Sequence, residues 1–236
     1  MFQNFSDIVF EEHHTWKGKK ILTFDIDWAS DEVLLYTINL LEEFNVKATF
    51  FITHSTDLLN RIRNNKNFEL AIHPNFNKVL ENESKKKADE IFNGILEIVP
   101  EAKTSRSHSL TNSGRWNSLY AENNIHYTSN YFMYLKKGIQ PIKNINNVIE
   151  VPIYFADDAL LYLNFENDND LPLPKFTSEN KNGIEVFLFH PIHIALNSNS
   201  LKFYDETRKI HSNWKELEKV RNSKIGVKNI LIDLIK

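Results

Sequence analysis

The sequence has 236 residues, enough for one large domain or two small ones, and 42% of them are hydrophobic, with 17 Phe to fill a sizeable core. Its 28 basic and 31 acidic side chains leave a formal charge of −3, which argues against a general nucleic-acid-binding surface. Cysteine is absent, so disulfides, thiolate metal sites and a cysteine nucleophile are all excluded.

The N-terminal stretch MFQNFSDIVFEEHHTWKGKK carries acids where a secretory signal has its apolar centre, so no signal is expected. No apolar run approaches the roughly 18 residues a membrane span needs, and the expected compartment is the cytoplasm. Residues 1–18 read as an extension ahead of the first strand, KKILTFDI. That strand ends in Asp25 and Asp27, two residues apart and therefore on one side of an extended segment. Like charges that close repel, and burying them is unfavourable unless a partner or a metal compensates.

Ser30 follows as a helix N-cap, with Asp31 and Glu32 in the first turn and Val33, Leu34, Ile38 and Leu41 as the apolar stripe. The next strand is VKATFFIT (46–53), then a helix over 56–64, the strand FELAIH (68–73) and a helix over 82–99. The lysines at 85–87 fall in that last helix and read as a solvated face. AKTSRSH (102–108) is a strand, followed by a helix opening after Ser113. IHYTSNYF, VIEVPIYF (148–155) and GIEVFLFH (183–190) are further strands, and the polar segment 164–182 is a loop or lid. Two or three helical stretches after His190 follow, those over 195–236 forming a C-terminal helical segment, and complete what reads as a single domain.

This alternation predicts an α/β fold with a mostly parallel sheet, open or closed into a barrel. Functional groups in such folds gather at the carboxyl ends of strands. Five expected strands end in chemistry: Asp25 and Asp27; His73; Arg106 and His108; Asp157 and Asp158; His190, with His193 beyond it. Imidazole and carboxylate ligands suit a divalent cation, zinc first, with cobalt, nickel and iron as alternatives. A carboxylate outside the ligand set would take a proton from water, and a separate histidine would protonate a leaving group, as amide or ester hydrolysis requires.

At these residues the sequence resembles the polysaccharide deacetylase family, the metal-dependent carbohydrate esterases with a NodB-type homology domain, from about residue 19 to 193. TFDID is similar to the family's Thr-Phe-Asp-Asp, HPNFN to its His-x-x-x-His, SRSH to its arginine motif and FLFHP to its terminal His-Pro. The resemblance implies a distorted (β/α) barrel of about seven strands and removal of an N- or O-acyl group from a carbohydrate substrate. It implies Asp25 as base and Asp27 as metal ligand, two roles that could be exchanged, with His73 a second ligand and His190 the general acid. Arg106 would orient the base, and Asp158 or Asp157 would hold His190.

The pattern departs from the family in places. Ile26 stands where the metal-binding Asp belongs, Asn77 replaces the second motif histidine, and the arginine motif lacks its proline. Asn77 is a weak ligand, and His108 is the candidate replacement. These changes imply a divergent branch, such as one serving a surface polysaccharide like lipopolysaccharide O-antigen.

Simpler roles stand beside these. The acidic pair could cap the helix at Ser30, His73 could be a turn residue, and Arg106 could be a structural partner of Asp25 or Asp158. His193 reads as a supporting or surface residue. Trp28, Trp116 and Tyr154 are candidates for a sugar-stacking cleft or for core packing. His13, His14, His54, His126 and His211 read as ordinary. Two other functions fit the same residues: a carbohydrate-binding homologue without catalysis, and a metal-free amide hydrolase acting on a small nitrogenous compound. The oligomeric state is not legible.

Overall fold

The computed structural model describes residues 2–81, 87–164, 171–174, 176 and 182–236. Its first strand, β1 (Phe2–Gln3), pairs in parallel with β2 (Lys20–Asp25). Phe5, Ile8 and Trp16, between them, are buried in the main core, so the segment read as an extension packs into the fold. The chain then runs through α1 (Asp31–Glu43), β3 (Ala48–Ile52), α2 (Leu59–Asn64), β4 (Phe68–Ile72), α3 (Asn77–Leu80) and α4 (Ala88–Leu96). Next come β5 (Thr104–Ser105), α5 (Asn117–Glu122), β6 (Tyr127–Thr128), β7 (Ile142–Lys143), β8 (Ile149–Glu150), β9 (Ile153–Ala156) and α6 (Asp157–Leu163). Last are β10 (Glu185–Phe189) and four helices: α7 (Pro191–Leu196), α8 (Leu201–Thr207), α9 (Trp214–Val220) and α10 (Val227–Ile235).

Among the described residues the strands form one ten-stranded sheet in the order β7-β8-β6-β5-β4-β3-β2-β10-β9, with β1 beside β2. Every pairing is parallel except β7 with β8. The central strands read as near-continuous apolar runs because helices cover them. Phe24, Phe50, Phe155, Phe187 and Phe189 are buried, and Phe24 packs between Phe50 and Phe189 at ring-centroid distances of 5.4 and 6.2 Å. Each such ring contributes about 1.5–3 kcal/mol by leaving water. Beyond β6, the Met133 and Leu135 N–H groups donate to the Ile153 and Tyr154 carbonyls, both at 2.8 Å. This contact brings the β6 side of the sheet to β9, so the sheet curls into a distorted barrel.

The expected elements recur with adjustments. Sequence periodicity suggested about seven strands, and β1 and β5 to β8 are only two residues each, too short for a period to register. The run 148–155 is two strands, because Pro152 lacks the N–H a continuous ladder needs and the chain changes neighbours there, β8 to β6 and β9 to β10. The C-terminal region holds four α-helices where two or three were expected. Ser30 does occupy the N-cap position of α1, but its hydroxyl makes no capping bond. Residues 82–86 of one expected helix and most of the expected loop or lid at 164–182 lie outside the described residues. Among the described residues, no helix is long and apolar enough to cross a membrane.

Candidate functional site

The carboxyl ends of β2, β4, β5 and β10 meet at one mouth of the sheet. Asp25 is the last residue of β2, Ile26 turns into the core, and the chain then enters left-handed backbone at Asp27 (φ 39°) and Trp28 (φ 56°). Two consecutive non-glycine residues in that region carry strain of order 1–3 kcal/mol each. The turn is held by the Trp28 N–H, which donates to Thr53 Oγ1 at 3.1 Å just beyond β3. Asp25 and Asp27 do converge, though through this turn rather than through the alternation of an unbroken strand.

Asp27 Oδ1 lies 3.3 Å from His73 Nε2 and 3.1 Å from His108 Nδ1. Asp27, His73 and His108 offer ligand atoms that all lie within 4.8 Å of one another. His73 Nδ1 donates to the Arg106 carbonyl at 2.7 Å, which turns Nε2 toward the carboxylates of Asp27 and Asp25, the latter at 3.5 Å. A proton on Nε2 or a divalent cation between the groups makes this approach favourable. Burial alone would raise the Asp27 pKa, but hydrogen bonds with His108 and His73 and the charge of His190 outweigh it and hold the carboxyl well below its usual range. Two imidazoles and one carboxylate in a partly enclosed pocket fit a divalent ion of the zinc, cobalt, nickel or iron type.

His108 is set by its neighbours. The Ser107 N–H donates to Asn130 Oδ1 at 2.8 Å, and the His108 N–H donates to the Pro74 carbonyl at 3.0 Å. The Trp28 ring packs edge-on against it, centroids 5.0 Å apart. Asn77 is engaged elsewhere. Its Oδ1 accepts the Thr111 hydroxyl and its Nδ2 donates to Ser109 Oγ at 3.2 Å, so the amide braces the loop after His108 and its oxygen is already engaged.

Arg106 is fully buried. Nη1 donates to Asp25 Oδ1 at 2.8 Å and Thr23 Oγ1 at 2.9 Å, while Nε and Nη2 donate to the Ser129 carbonyl and hydroxyl, each at 2.9 Å. Its guanidinium carbon stands 4.1 Å from the Phe51 ring centroid. The fork therefore locks one oxygen of Asp25 and leaves the other facing His73.

His190 closes the opposite side, with Nε2 3.6 Å from Asp27 Oδ2. Of the two acids the sequence offered, its partner is Asp157, and Asp158, also placed among the candidate catalytic residues, makes no bond to it. Nδ1 donates to Asp157 Oδ1 at 2.7 Å, and the His190 N–H donates to Oδ2 at 2.8 Å. At the start of α6, consecutive side chains point about 100° apart. Asp157 thus turns inward, while Asp158 faces the cavities and its Oδ1 accepts the Ala159 N–H at 2.7 Å. Burial works to lower the His190 pKa, but the charge and hydrogen bond of Asp157 overcome it and lift it well above the usual imidazole value.

His193 is buried rather than at the surface, with Nδ1 3.1 Å from Ser198 Oγ, and burial pushes its pKa well down. Ser129 and Asn130 were not singled out in the sequence, although they stand at the end of β6, where the strand-end rule would have found them.

Two cavities open on these groups. A chamber of about 310 Å³ is lined by Asp25, Asp27, His73, His108, Phe132 and His190 among others. A cleft of about 760 Å³ adjoins it, sharing Asp27, Asp158 and His190, and continues past Trp28, His54 and Tyr204. Of the aromatics considered for sugar stacking, Trp116 and Tyr154 are buried, and Trp28 stands half exposed in the cleft wall.

The comparisons point one way. The family described as WbmS-like polysaccharide deacetylase matches residues 22–208. A crystal structure from Bordetella bronchiseptica, assigned as a polysaccharide deacetylase involved in O-antigen biosynthesis, is 36% identical, covers 99% of this chain and 96% of its own, and superposes with a TM-score of 0.91. A polysaccharide deacetylase structure from Mycobacterium smegmatis is 16% identical over 73% of this chain and 76% of its own, TM-score 0.50, a likeness of fold alone. No protein of curated function matches the sequence.

Proposed function

The chain belongs to the WbmS-like polysaccharide deacetylases, and on that footing we propose that it is a metal-dependent hydrolase removing an N- or O-acetyl group from a sugar of a surface-polysaccharide precursor. The observation that carries this reading is the convergence of Asp27 Oδ1 with His73 Nε2 and His108 Nδ1, at 3.3 and 3.1 Å, beside a buried base and a buried acid. The O-antigen role assigned to the 36% identical Bordetella protein supports the substrate class, and its 99% coverage supports a single deacetylase domain. We assign the reaction to the cytoplasm.

Asp27, His73 and His108 would hold the cation. When bound, it supplies Lewis acidity toward the acyl oxygen and toward water. Asp25 is the base: Arg106 occupies Oδ1, and Oδ2 is left to accept a proton from water as the water oxygen bonds to the acyl carbon. Arg106 fixes the carboxylate in one rotamer, so little orientation remains to be found during turnover. His190 is the acid, its Nε2 facing the chamber and its Nδ1 anchored on Asp157. As the C–N bond breaks, the His190 proton passes to the departing nitrogen, giving acetate and a free amine. For an ester, the C–O bond breaks and the proton goes to the alcohol oxygen.

The test is acetate release from N-acetylated and O-acetylated saccharides by freshly purified protein, before and after chelation, alongside elemental analysis. Bound divalent metal and turnover that disappears on chelation and returns on remetallation are expected. Full activity in demetallated protein would refute metal dependence.

A further inference from the structure

Sites that hold sugars need flat apolar faces set among polar groups. Trp28 stands apart from Trp16 and Trp116 in this respect: it is 51% exposed and lines the 760 Å³ cleft, where they are buried. A Trp ring left in water forgoes more than the roughly 1.5–3 kcal/mol that burying a Phe or Leu brings. The backbone that carries this ring is left-handed (φ 56°), the main-chain N–H of Trp28 donates to Thr53 Oγ1, and the ring lies edge-on to His108. Strain and exposure at one residue, directly after the carboxylate of the proposed ligand group, point to a use for the ring.

The remainder of the cleft indicates the ligand. Besides Asp27, which the proposed cation would engage, its carboxylates are Asp31, Asp57 and Asp158, and its cationic groups are His190, held on Asp157, and Arg208, paired with Asp205 at 2.7 Å. His54 and His211, also in the wall, are pushed toward the neutral form, chiefly by burial. A diphosphate would meet carboxylates here, with the imidazole of His190 and the guanidinium of Arg208 each already committed to a carboxylate, unlike a phosphate site with free donors. An uncharged pyranose would find an indole face, the Tyr204 phenol and neutral imidazoles.

We propose that Trp28 is the platform on which a neutral sugar unit, glycosidically joined to the one being deacetylated, stacks in the larger cleft. The substrate then presents a saccharide there and not a nucleoside diphosphate. The inference rests on the deacetylase reading above.

The test compares deacetylation of N-acetylglucosamine, N,N′-diacetylchitobiose and UDP-N-acetylglucosamine by wild type, Trp28→Ala and Trp28→Phe, with bound metal measured in each. Wild type should prefer the disaccharide. Compared at equal bound metal per chain, Trp28→Ala should raise KM for the disaccharide about tenfold while the monosaccharide KM changes by no more than about twofold, and Trp28→Phe should recover most of the loss. Equal effects on mono- and disaccharide, no effect, or a preference for the nucleotide sugar would overturn the proposal. If wild type turns over no saccharide, the deacetylase reading fails by itself, and tryptophan fluorescence titrated with the disaccharide decides on the platform. A saturable change that Trp28→Phe abolishes supports it; no change overturns it.

Discussion

Replacing Arg106 with methionine keeps much of the side chain's volume and removes its charge. In the native protein the guanidinium makes four buried hydrogen bonds, to Asp25, Thr23 and twice to Ser129. The variant leaves the Asp25 carboxylate buried without its cation, and breaking a buried pair from one side costs about 3–5 kcal/mol. In a chain of 236 residues each kcal/mol corresponds to about 2–4 °C, so the melting midpoint should fall by about 10 °C. Lysine keeps the charge but not the fork. It should hold Asp25, lose bonds to Ser129 and cost about 1–2 kcal/mol. Urea unfolding followed by circular dichroism, with chelator present so that no cation substitutes for the guanidinium, measures both. Adding Asp25→Asn completes a double-mutant cycle and should restore part of the loss, because a neutral amide no longer needs a cation. A loss below about 1 kcal/mol in Arg106→Met, or strict additivity with Asp25→Asn, would refute the reasoning.

Three further outcomes are expected. Asp27→Ala, His73→Ala and His108→Ala should each lower bound metal per chain, while Asn77→Ala keeps it and costs only about 1 kcal/mol through its two lost hydrogen bonds; elemental analysis and thermal melts read the two effects. The Asp157 charge helps hold the proton on His190, so Asp157→Asn should let that proton leave at lower pH and move the basic limb of the kcat/KM profile downward, more than Asp158→Asn does; a larger shift from Asp158→Asn would contradict the assignment. A Cβ on Gly226 would meet the Asn197 carbonyl oxygen at 2.1 Å, whereas one on Gly114 would meet nothing within 4 Å. Gly226→Ala should therefore cost about 1–3 kcal/mol or more in urea unfolding and Gly114→Ala little.

Much of the site was legible because a parallel sheet delivers its functional groups to one end. Asp25, His73, Arg106 and His190 are all found where apolar runs stop, and the strong periods of β2, β3, β4 and β10 make those stops visible. What escaped reading depends on geometry with no sequence period. Whether Asp157 or Asp158 faces His190 is a matter of helix phase at the first turn of α6. Asn77 sits at the expected ligand spacing, yet Thr111 and Ser109, more than thirty residues away, claim its amide. The two-residue strand β6 carries Ser129 just past its end, but it is too short for alternation to mark where it stops inside the longer run IHYTSNYF. Pro152 was a readable break, since a residue without an N–H cannot continue a ladder.

The left-handed turn at Asp27–Trp28 bears on how this protein could be engineered. Glycine enters that region freely, and a large side chain there is disfavoured by about 1–2 kcal/mol. A library screened only for heat resistance would thus be drawn toward glycine at position 28, gaining durability while stripping an indole from the cleft wall. Screening programmes that seek a hardier variant should hold this position constant and look for their gains on the far side of the sheet.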